Sequence, residues 1–222
     1  MAIKALVFDA YGTLFDVQSV AAVTDAAFPG RGTAITQIWR LKQLEYTWLR
    51  ALMDRYEDFW TVTRDSLDFT LKSLDLSAPP DLVTQIAEAY DALALYPEAR
   101  GALEGLAAHR LAIFSNGSPA MLDALLRHTR LAGHFAAVLS VDAAKTYKPD
   151  PRAYALATAA LDLPAARILF VTANAWDAIG AKAFGFRVAW CNRLALPFDT
   201  HGPAPDHEIP TLTELVEILG NP

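Results

Sequence analysis

The chain has 222 residues, 53% of them hydrophobic and 20% charged, which is enough apolar material for one large domain or two smaller ones. The formal net charge of −6 argues against nucleic acids and anionic membranes as partners, and no apolar run approaches the ~18 residues that a membrane span needs. A single cysteine, Cys191, excludes an internal disulfide bond and predicts a reducing, cytoplasmic setting.

The first predicted element is a strand, and a carboxylate follows it. Ile3 to Phe8 is a continuous apolar run, which is the pattern of a parallel strand buried on both faces. Asp9 comes next, and Gly12 then permits a backbone turn beside the Thr13 hydroxyl. Ligands of open parallel sheets bind beyond the carboxyl ends of the strands. Asp9 is therefore either a functional carboxylate or an Asp that only caps a turn.

The next part of the chain has helical periodicity and no clear strand. Segments rich in proline, glycine or small residues interrupt it at 29–32 and 77–80. The segments predicted as amphipathic helices are 17–27, 34–54, 56–74 and 80–92. Because this stretch directly follows the Asp9 turn, we expect it to lie over the strand ends as a lid.

From about residue 97, short apolar strands alternate with helical segments, as in a parallel α/β sheet. The predicted strands are Leu111–Phe114, Ala136–Ser140, Ile168–Thr172 and Val188–Trp190, and the predicted helices are 98–108, 118–129, 151–161 and 175–185. The predicted fold is therefore α/β, with a Rossmann-like parallel-sheet core (1–15 and 97–222) and an inserted helical cap domain (16–96). The proline-rich segment 193–210 is predicted to be an exposed loop before a last helix.

Polar side chains follow four of the predicted strands, whose carboxyl ends should meet at one edge of the sheet. These side chains are Asp9 and Thr13, Ser115 and Asn116, Lys148, and Thr172, Asn174 and Asp177. Each has an ordinary structural explanation. Ser118 and Asp150 precede prolines and suit helix N-caps, Asn174 with Asp177 resembles a capping box, and Lys148 could be an exposed lysine. Their occurrence together favours a functional site.

These segments resemble the motifs of the haloacid dehalogenase superfamily, and within it those of the L-2-haloacid dehalogenases. The matching segments are Asp9-Ala10-Tyr11-Gly12-Thr13-Leu14-Phe15-Asp16, Ser115-Asn116-Gly117-Ser118-Pro119, Tyr147-Lys148-Pro149 and Asn174-Ala175-Trp176-Asp177. The resemblance covers the whole chain, including the helical insertion between the first and second motifs. Two departures are Thr172-Ala173, where Ser-Ser is expected, and Leu41, where Gln is expected.

The main alternative is an Mg²⁺-dependent phosphatase of the same superfamily. Such phosphatases have a second Asp two residues after the nucleophile, where this chain has Tyr11, and an acidic metal ligand in the fourth motif, where it has Ala173 and Asn174. Mg²⁺ needs several hard oxygen ligands in octahedral geometry. We therefore expect no metal and no cofactor. A non-catalytic binding protein on the same scaffold is a third possibility, which the Asp9, Lys148 and Asp177 set disfavours.

The resemblance implies hydrolysis of L-2-haloalkanoic acids to 2-hydroxy acids with inversion, through an ester on Asp9. Lys148 is the candidate cation, expected to keep Asp9 ionised and to offset the repulsion between Asp9 and the substrate carboxylate. Backbone N–H groups near Ser118 and Asn174 are expected to hold that carboxylate, with the Ser115 hydroxyl as a further donor. The implied halide ligands are Arg40 and Asn116. Asp177 is the implied base for the ester-cleaving water, steered by Asn174 and Lys148.

The remaining expectations concern the pocket and the partners. Residues expected against the substrate are Ala10, Tyr11, Leu44, Phe59 and Trp176, although Leu44 and Phe59 also suit helix core positions. Tyr154 is expected to hold Asp177 or Thr172, or else to be a partly buried helix tyrosine. The expected partners are a small-molecule 2-haloacid and a halide ion. The resemblance also implies a homodimer.

Overall fold

A computed structural model describes residues 2–219 as a parallel sheet with helices around it. Its strands are β1 Ala5–Phe8, β2 Phe15–Asp16, β3 Ala94–Leu95, β4 Arg110–Ser115, β5 Ala137–Ser140, β6 Ile168–Thr172, β7 Arg187–Cys191 and β8 His207–Ile209. Its α-helices are α1 Ala21–Ala27, α2 Gly32–Leu52, α3 Phe59–Ser73, α4 Pro80–Ala87, α5 Ala99–Gly105, α6 Pro119–Thr129, α7 Pro151–Leu161, α8 Ala175–Phe184 and α9 Glu214–Leu219. Short 3₁₀ segments join several of them.

The main sheet has six parallel strands in the order β5-β4-β1-β6-β7-β8. β1 lies inside the sheet, where Leu6 pairs with Leu111 on one side and Leu169 on the other. All four residues of β1 are fully buried, which explains why the strand is apolar throughout and does not alternate with polar residues. The predicted α/β class with a parallel core sheet is confirmed.

The inserted region consists of α1 to α4 with a 3₁₀ turn at each end. α2 and α3 pack against each other, and the buried Trp39 indole donates from Nε1 to the Thr63 carbonyl oxygen at 2.8 Å. The predicted start of α3 at residue 56 is three residues early, because the Asp58 carboxylate accepts from the Thr61 N–H and caps a helix that begins at Phe59. The predicted helix 80–92 continues after α4 as a 3₁₀ turn, Glu88–Ala92.

Two strand regions differ from the predictions. β2 and β3 form an antiparallel pair, with Phe15 opposite Leu95, where no strand was expected between residues 17 and 95 or at their borders. Such short strands carry no periodicity that a sequence pattern could reveal. The prediction that 193–210 is wholly an exposed loop is wrong at β8, where Ile209 is buried and its carbonyl oxygen accepts from the Asn192 N–H at 2.7 Å.

The insertion is tied to the sheet region by two hydrogen bonds of the segment between α2 and α3. The Tyr56 hydroxyl donates to Asp142 Oδ1 at 2.8 Å, and the Tyr147 hydroxyl donates to the Glu57 carbonyl oxygen at 2.6 Å. The domain limits, 1–15 with 97–222 and 16–96, stay a prediction, and residues 1 and 220–222 lie outside the described part. None of the helices within residues 2–219 is long and apolar enough to cross a membrane.

Candidate active site

Three neighbouring strands bring their carboxyl ends together. β1 lies between β4 and β6, so the residues after Phe8, Ser115 and Thr172 lie side by side. The Asp9 N–H donates to the Val171 carbonyl oxygen at 2.9 Å, which continues the strand pairing for one residue past β1. Asp9 therefore leaves the sheet at its carboxyl edge, where its side chain faces the loops after the other strands.

A buried lysine joins two carboxylates at this edge. Lys148 Nζ lies 2.9 Å from Asp9 Oδ1 and 2.7 Å from Asp177 Oδ2, and it also donates to the Phe114 carbonyl oxygen at 3.3 Å. The side chain of Lys148 is 1% exposed, so the alternative that it is an ordinary surface lysine is wrong. An ammonium group buried to this degree is stable only because ionised partners surround it.

The surroundings of the cluster raise the pKa values of Lys148 and Asp177. Burial opposes the charge on Lys148, but the carboxylates of Asp177 and Asp9 outweigh burial and raise the lysine pKa above its usual value. Burial, together with the negative charge of Asp9, raises the pKa of Asp177 to about 6 against the opposing effect of Lys148. Asp177 is thus an ionised carboxylate at neutral pH that accepts a proton far more readily than an ordinary Asp.

The second oxygen of Asp9 is held by three donors. Thr13 Oγ1 donates to Asp9 Oδ2 at 2.9 Å, Asn174 Nδ2 at 2.8 Å and Thr172 Oγ1 at 3.4 Å. The Asn174 side chain also donates to the Tyr11 carbonyl oxygen at 3.1 Å, and it makes no capping bond at the start of α8. The capping-box alternative for Asn174 and Asp177 is therefore wrong. These bonds fix the plane and rotation of the Asp9 carboxylate.

The loop after Asp9 turns sharply at Gly12, and hydrogen bonds from Arg193 hold it in place. Gly12 has a φ of +87°, a left-handed conformation that a residue with a side chain adopts only with strain. Arg193 donates from Nη1 to the Gly12 carbonyl oxygen at 3.2 Å and from Nη2 to the Thr13 carbonyl oxygen at 2.8 Å. Its guanidinium also stacks 3.8 Å from the Tyr96 ring and pairs with Glu98. The sequence analysis missed Arg193, although it follows the end of β7 as the other site residues follow their strands.

Asp177 is oriented by a tyrosine from the neighbouring helix. The Tyr154 hydroxyl donates to Asp177 Oδ1 at 2.7 Å, and both residues are fully buried. A side chain at Gly180 would come within 2.6 Å of that hydroxyl, so the glycine lets α7 and α8 approach closely enough for the bond. Of the two expected partners of Tyr154, the structure places it on Asp177. It is not the partly buried tyrosine of the alternative.

Ser115 and Asn116 present donors near the cluster. Asn116 Oδ1 accepts from the Lys148 N–H at 3.0 Å, which leaves the amide hydrogens of Asn116 directed elsewhere. Ser115 Oγ accepts from the Gly117 N–H at 3.1 Å, so its own hydrogen is available to a ligand. The Asn174 N–H, expected to hold a carboxylate, instead donates to Thr172 Oγ1 at 3.1 Å. The N–H groups of Ala175 and Trp176 at the start of α8 are better placed, since the next N–H, that of Asp177, already donates to the Asn174 carbonyl oxygen at 3.1 Å.

A small cavity lies between this edge and the inserted helices. It is lined by Asp9, Tyr11, Arg40, Leu44, Phe59, Ser115, Asn116, Lys148, Asn174 and Trp176. Its free volume is about 10 Å³, room for about one water molecule and too little for an organic acid. Ala10 is buried away from the cavity and Leu41 is 69% exposed, so neither residue lines it. Thr13, Tyr154 and Thr172 lie behind the cavity, against the two carboxylates.

The apolar wall of the cavity is aromatic. The Tyr11 ring packs 5.3 Å from the Phe59 ring, and the Trp176 ring meets the Trp48 ring edge-on at 5.5 Å. Burial raises the pKa of the Tyr11 phenol well above its usual value, so it stays a neutral hydroxyl. A phenol in this position supplies neither the second carboxylate of the phosphatase motif nor a hard anionic metal ligand.

The described residues offer little to a metal ion. Within residues 2–219 no group of three or more His, Cys, Asp and Glu side chains is placed to hold one. The two carboxylates of the cluster share the ammonium group of Lys148, which lies 2.9 Å from Asp9 and 2.7 Å from Asp177. The donor set therefore fits a lysine-neutralised carboxylate pair.

Comparisons with known proteins agree with one another. Residues 3–185 match the family described as haloacid dehalogenase-like hydrolases. The chain is 46% identical to an (S)-2-haloacid dehalogenase of Xanthobacter autotrophicus over 98% of this chain and 95% of the relative. It is 48% identical to an (S)-2-haloacid dehalogenase of Pseudomonas sp. strain YL over 98% and 94%. A solved L-2-haloacid dehalogenase of Xanthobacter autotrophicus with chloropropionic acid covalently bound superposes with a TM-score of 0.95, at 46% identity and 98% coverage of both chains.

Proposed function

The chain belongs to the family of haloacid dehalogenase-like hydrolases, and from that premise we propose that it converts L-2-haloalkanoic acids to 2-hydroxy acids with inversion. The observation that carries the proposal is the carboxylate of Asp9, which Lys148, Thr13 and Asn174 hold in one orientation at the cavity. A similar protein has been solved with chloropropionic acid covalently bound, as an enzyme that forms an ester would allow.

In the first step, an oxygen of Asp9 attacks carbon 2 of the substrate from the side opposite the halogen. The new C–O bond forms as the carbon–halogen bond breaks, and the halide leaves with the bonding electrons. Two carboxylates ~4 Å apart repel by about 4 kcal/mol at an effective dielectric constant near 20. The ammonium of Lys148 offsets this repulsion, because it lies 2.9 Å from Asp9.

The departing halide gains a full negative charge, and donors directed at it stabilise the transition state more than the ground state. Arg40 and Asn116 line the cavity and provide a cation and an amide for this purpose. The Ser115 hydroxyl and the first-turn N–H groups of α8 bind the substrate carboxylate. The aromatic wall of Tyr11, Phe59 and Trp176 contacts the alkyl group and excludes bulk water.

In the second step, water attacks the carbonyl carbon of the Asp9 ester, and Asp177 accepts the proton of that water. The acyl C–O bond then breaks, and the leaving alkoxide takes the proton held by Asp177 and departs as the 2-hydroxy acid, with an oxygen that came from Asp9. Loss of the second water proton to solvent restores the Asp9 carboxylate. Inversion occurs only in the first step, so the product has the opposite configuration at carbon 2. A pKa of about 6 suits Asp177 to this proton transfer at neutral pH.

Two further parts of the proposal are a homodimer and a cytoplasmic location. Leu41, Leu49 and Leu52 are exposed, and their spacing places them on one side of α2. An apolar stripe of this kind on a folded chain supports self-association. The single cysteine is buried, which fits a reducing compartment. Light scattering of the purified protein at two concentrations tests the dimer.

The direct test measures halide release from L- and D-2-chloropropionate in the presence of EDTA, beside an Asp9→Asn variant. We expect release from the L form only, undiminished by the chelator and absent in the variant. If instead p-nitrophenyl phosphate is cleaved only after Mg²⁺ is added and no halide is released, the phosphatase alternative is correct. Absence of turnover with any substrate would favour the non-catalytic alternative.

A further inference from the structure

Arg40 approaches the cavity from α2, in the inserted region, and its environment differs from that of Lys148. No carboxylate makes a hydrogen bond to Arg40 among the described residues; its Nη1 donates to the amide oxygen Oε1 of Gln43 at 2.8 Å. Gln43 is one helical turn further along α2 and is fully buried. The guanidinium that lines the cavity is therefore held by a neutral amide.

The amide of Gln43 is itself held by the next helix. Gln43 Nε2 donates to Thr63 Oγ1 at 2.8 Å, and Thr63 Oγ1 donates to the Phe59 carbonyl oxygen at 2.6 Å. Thr63 is fully buried, and its own carbonyl oxygen accepts from the Trp39 indole. A chain of hydrogen bonds therefore runs from the guanidinium through α2 to the start of α3, where Phe59 also lines the cavity.

Each donor in this series of hydrogen bonds points from Arg40 toward α3. A guanidinium can only donate, so the oxygen of the Gln43 amide must face Arg40 and its nitrogen must face Thr63. The Thr63 hydrogen is engaged by the Phe59 carbonyl oxygen, which leaves the hydroxyl oxygen free to accept. The orientation of the Gln43 amide therefore follows from the positions of Arg40 and Thr63.

A neutral tether suits a cation that must bind an anion. A carboxylate at position 43 would hold the guanidinium more strongly, but it would also cancel the charge that a departing halide needs. An apolar residue would pack equally well in this buried place and would leave the guanidinium free to rotate. An amide provides a fixed acceptor and keeps the net charge of Arg40.

We propose that Gln43 is a positioning residue, which aims the Arg40 guanidinium at the leaving halide while preserving its charge, and that Thr63 fixes Gln43 for this purpose. The inference rests on the proposed function, because it concerns the halide step of that reaction. It assigns to the insertion a set of residues, Arg40, Gln43 and Thr63, that acts as a unit during carbon–halogen cleavage.

The first test is Gln43→Met, which keeps the volume and removes the acceptor. The value of kcat/KM reports the first irreversible step, the displacement of halide. We expect kcat/KM for L-2-chloropropionate to fall about tenfold and the inhibition constant for bromide to rise by a similar factor. The fall should be smaller for L-2-bromopropionate, whose weaker carbon–halogen bond needs less stabilisation of the leaving group.

The second test is Gln43→Glu, which keeps an acceptor for Arg40 but adds a negative charge and loses the Nε2 donor to Thr63. Thr63→Val loses the same hydrogen bond without adding a charge, so the difference between the two variants measures the effect of the charge beside Arg40. We expect kcat/KM to fall by at least about tenfold and bromide inhibition to weaken, since the new carboxylate neutralises the guanidinium. Wild-type behaviour of Gln43→Glu would overturn the inference.

The third test compares two threonines of α3. Thr63→Val removes the acceptor of Gln43, whereas Thr70→Val is a matched control. Thr70 is also fully buried and bonds the carbonyl oxygen four residues before it, that of Ser66, at 2.7 Å. We expect Thr63→Val to weaken bromide inhibition about threefold and Thr70→Val to leave it unchanged, although both lower the melting temperature by similar amounts.

The outcomes separate the inference from the function on which it rests. A wild-type protein that releases no halide from either enantiomer of 2-chloropropionate would refute the proposed function. A wild-type protein that does release halide, with Gln43 and Thr63 variants that behave like Thr70→Val, would refute the positioning role alone. If Gln43→Met does not fold, Thr63→Val still tests the positioning role, because it removes a single buried hydroxyl and keeps the volume of the side chain.

Discussion

The two sides of the cavity differ in how their charged side chains are neutralised. On the sheet side, two carboxylates share one lysine, and all three side chains are at most 5% exposed. On the side of the inserted helices, Arg40 lines the cavity, is partly buried and is tethered by a neutral amide. In the proposed mechanism the sheet side provides the groups that make and break bonds, and the inserted side provides groups that bind the leaving halide. Because the cavity of about 10 Å³ is smaller than the proposed substrate, that mechanism also requires the two sides to separate for substrate to enter.

The largest effect on the sheet side is expected from Lys148→Met, which removes the ammonium group shared by Asp9 and Asp177. The variant would leave two buried carboxylates without their counter-ion, and we expect it to lose all dehalogenase activity and about 3–5 kcal/mol of unfolding free energy, measured by urea denaturation. Lys145→Met is the matched control, since Lys145 pairs with Asp142 at the surface and should contribute less than ~1 kcal/mol. Equal stability of the two variants would contradict the role given to Lys148.

Asp177→Asn should separate the two chemical steps. Displacement of halide uses Asp9, so we expect one equivalent of halide per enzyme in a rapid burst, followed by turnover slowed roughly 10²–10⁴-fold. Mass spectrometry of the intact protein should show the trapped ester. Asp9→Asn should show neither burst nor adduct. A variant of Asp177 with normal steady-state turnover would mean that another group activates the water.

The pH dependence of kcat should report the ionisation of Asp177. The base must be ionised, and its pKa is raised to about 6, so kcat should decline as the pH falls through about 6. The hydroxyl of Tyr154 favours the ionised form, and Tyr154→Phe should therefore raise that pKa and move the acidic limb upward by about one pH unit. Tyr147→Phe should leave the limb in place, because that hydroxyl binds the Glu57 carbonyl oxygen.

The smallest effect is expected at the contact between the two sides. Tyr56→Phe removes the hydrogen bond to Asp142, so the inserted helices should separate more easily and kcat/KM should fall about threefold. Arg50→Met is the comparison, because the ion pair of Arg50 with Asp65 joins α2 to α3 and does not reach the sheet side. An equal kcat/KM for Tyr56→Phe and the wild type would show that this hydrogen bond does not hold the inserted helices against the sheet side during the reaction.

The parallel sheet and the meeting of its polar strand ends were predictable from the sequence. An apolar run without alternation indicates a strand buried on both faces, and strands that alternate with helices indicate a parallel order. Parallel strands share one carboxyl edge, so Asp9, Ser115 and Thr172 had to lie at the same edge, and the strand order β4-β1-β6 in the structure makes them neighbours. The family and the dehalogenase activity followed from the motifs, chiefly Tyr11 and Asn174 where a phosphatase has acidic residues. Arg40 and Phe59 were accessible through the resemblance alone, since the sequences of their helices, α2 and α3, have no local signal of a site.

The tertiary structure decided where individual side chains point. Asn174 has the pattern of a helix cap, yet its amide turns to Asp9, because an ionised oxygen of Asp9 lies within reach. The buried Lys148 contacts Asp9, from which it is separated by 139 positions in the sequence. Arg193 donates to the carbonyl oxygen of Thr13, about 180 positions before it. Periodicity and propensity report the environment of a backbone segment. Contacts between residues so far apart depend on strand order, helix packing and side-chain direction, which are established only when the whole chain has folded.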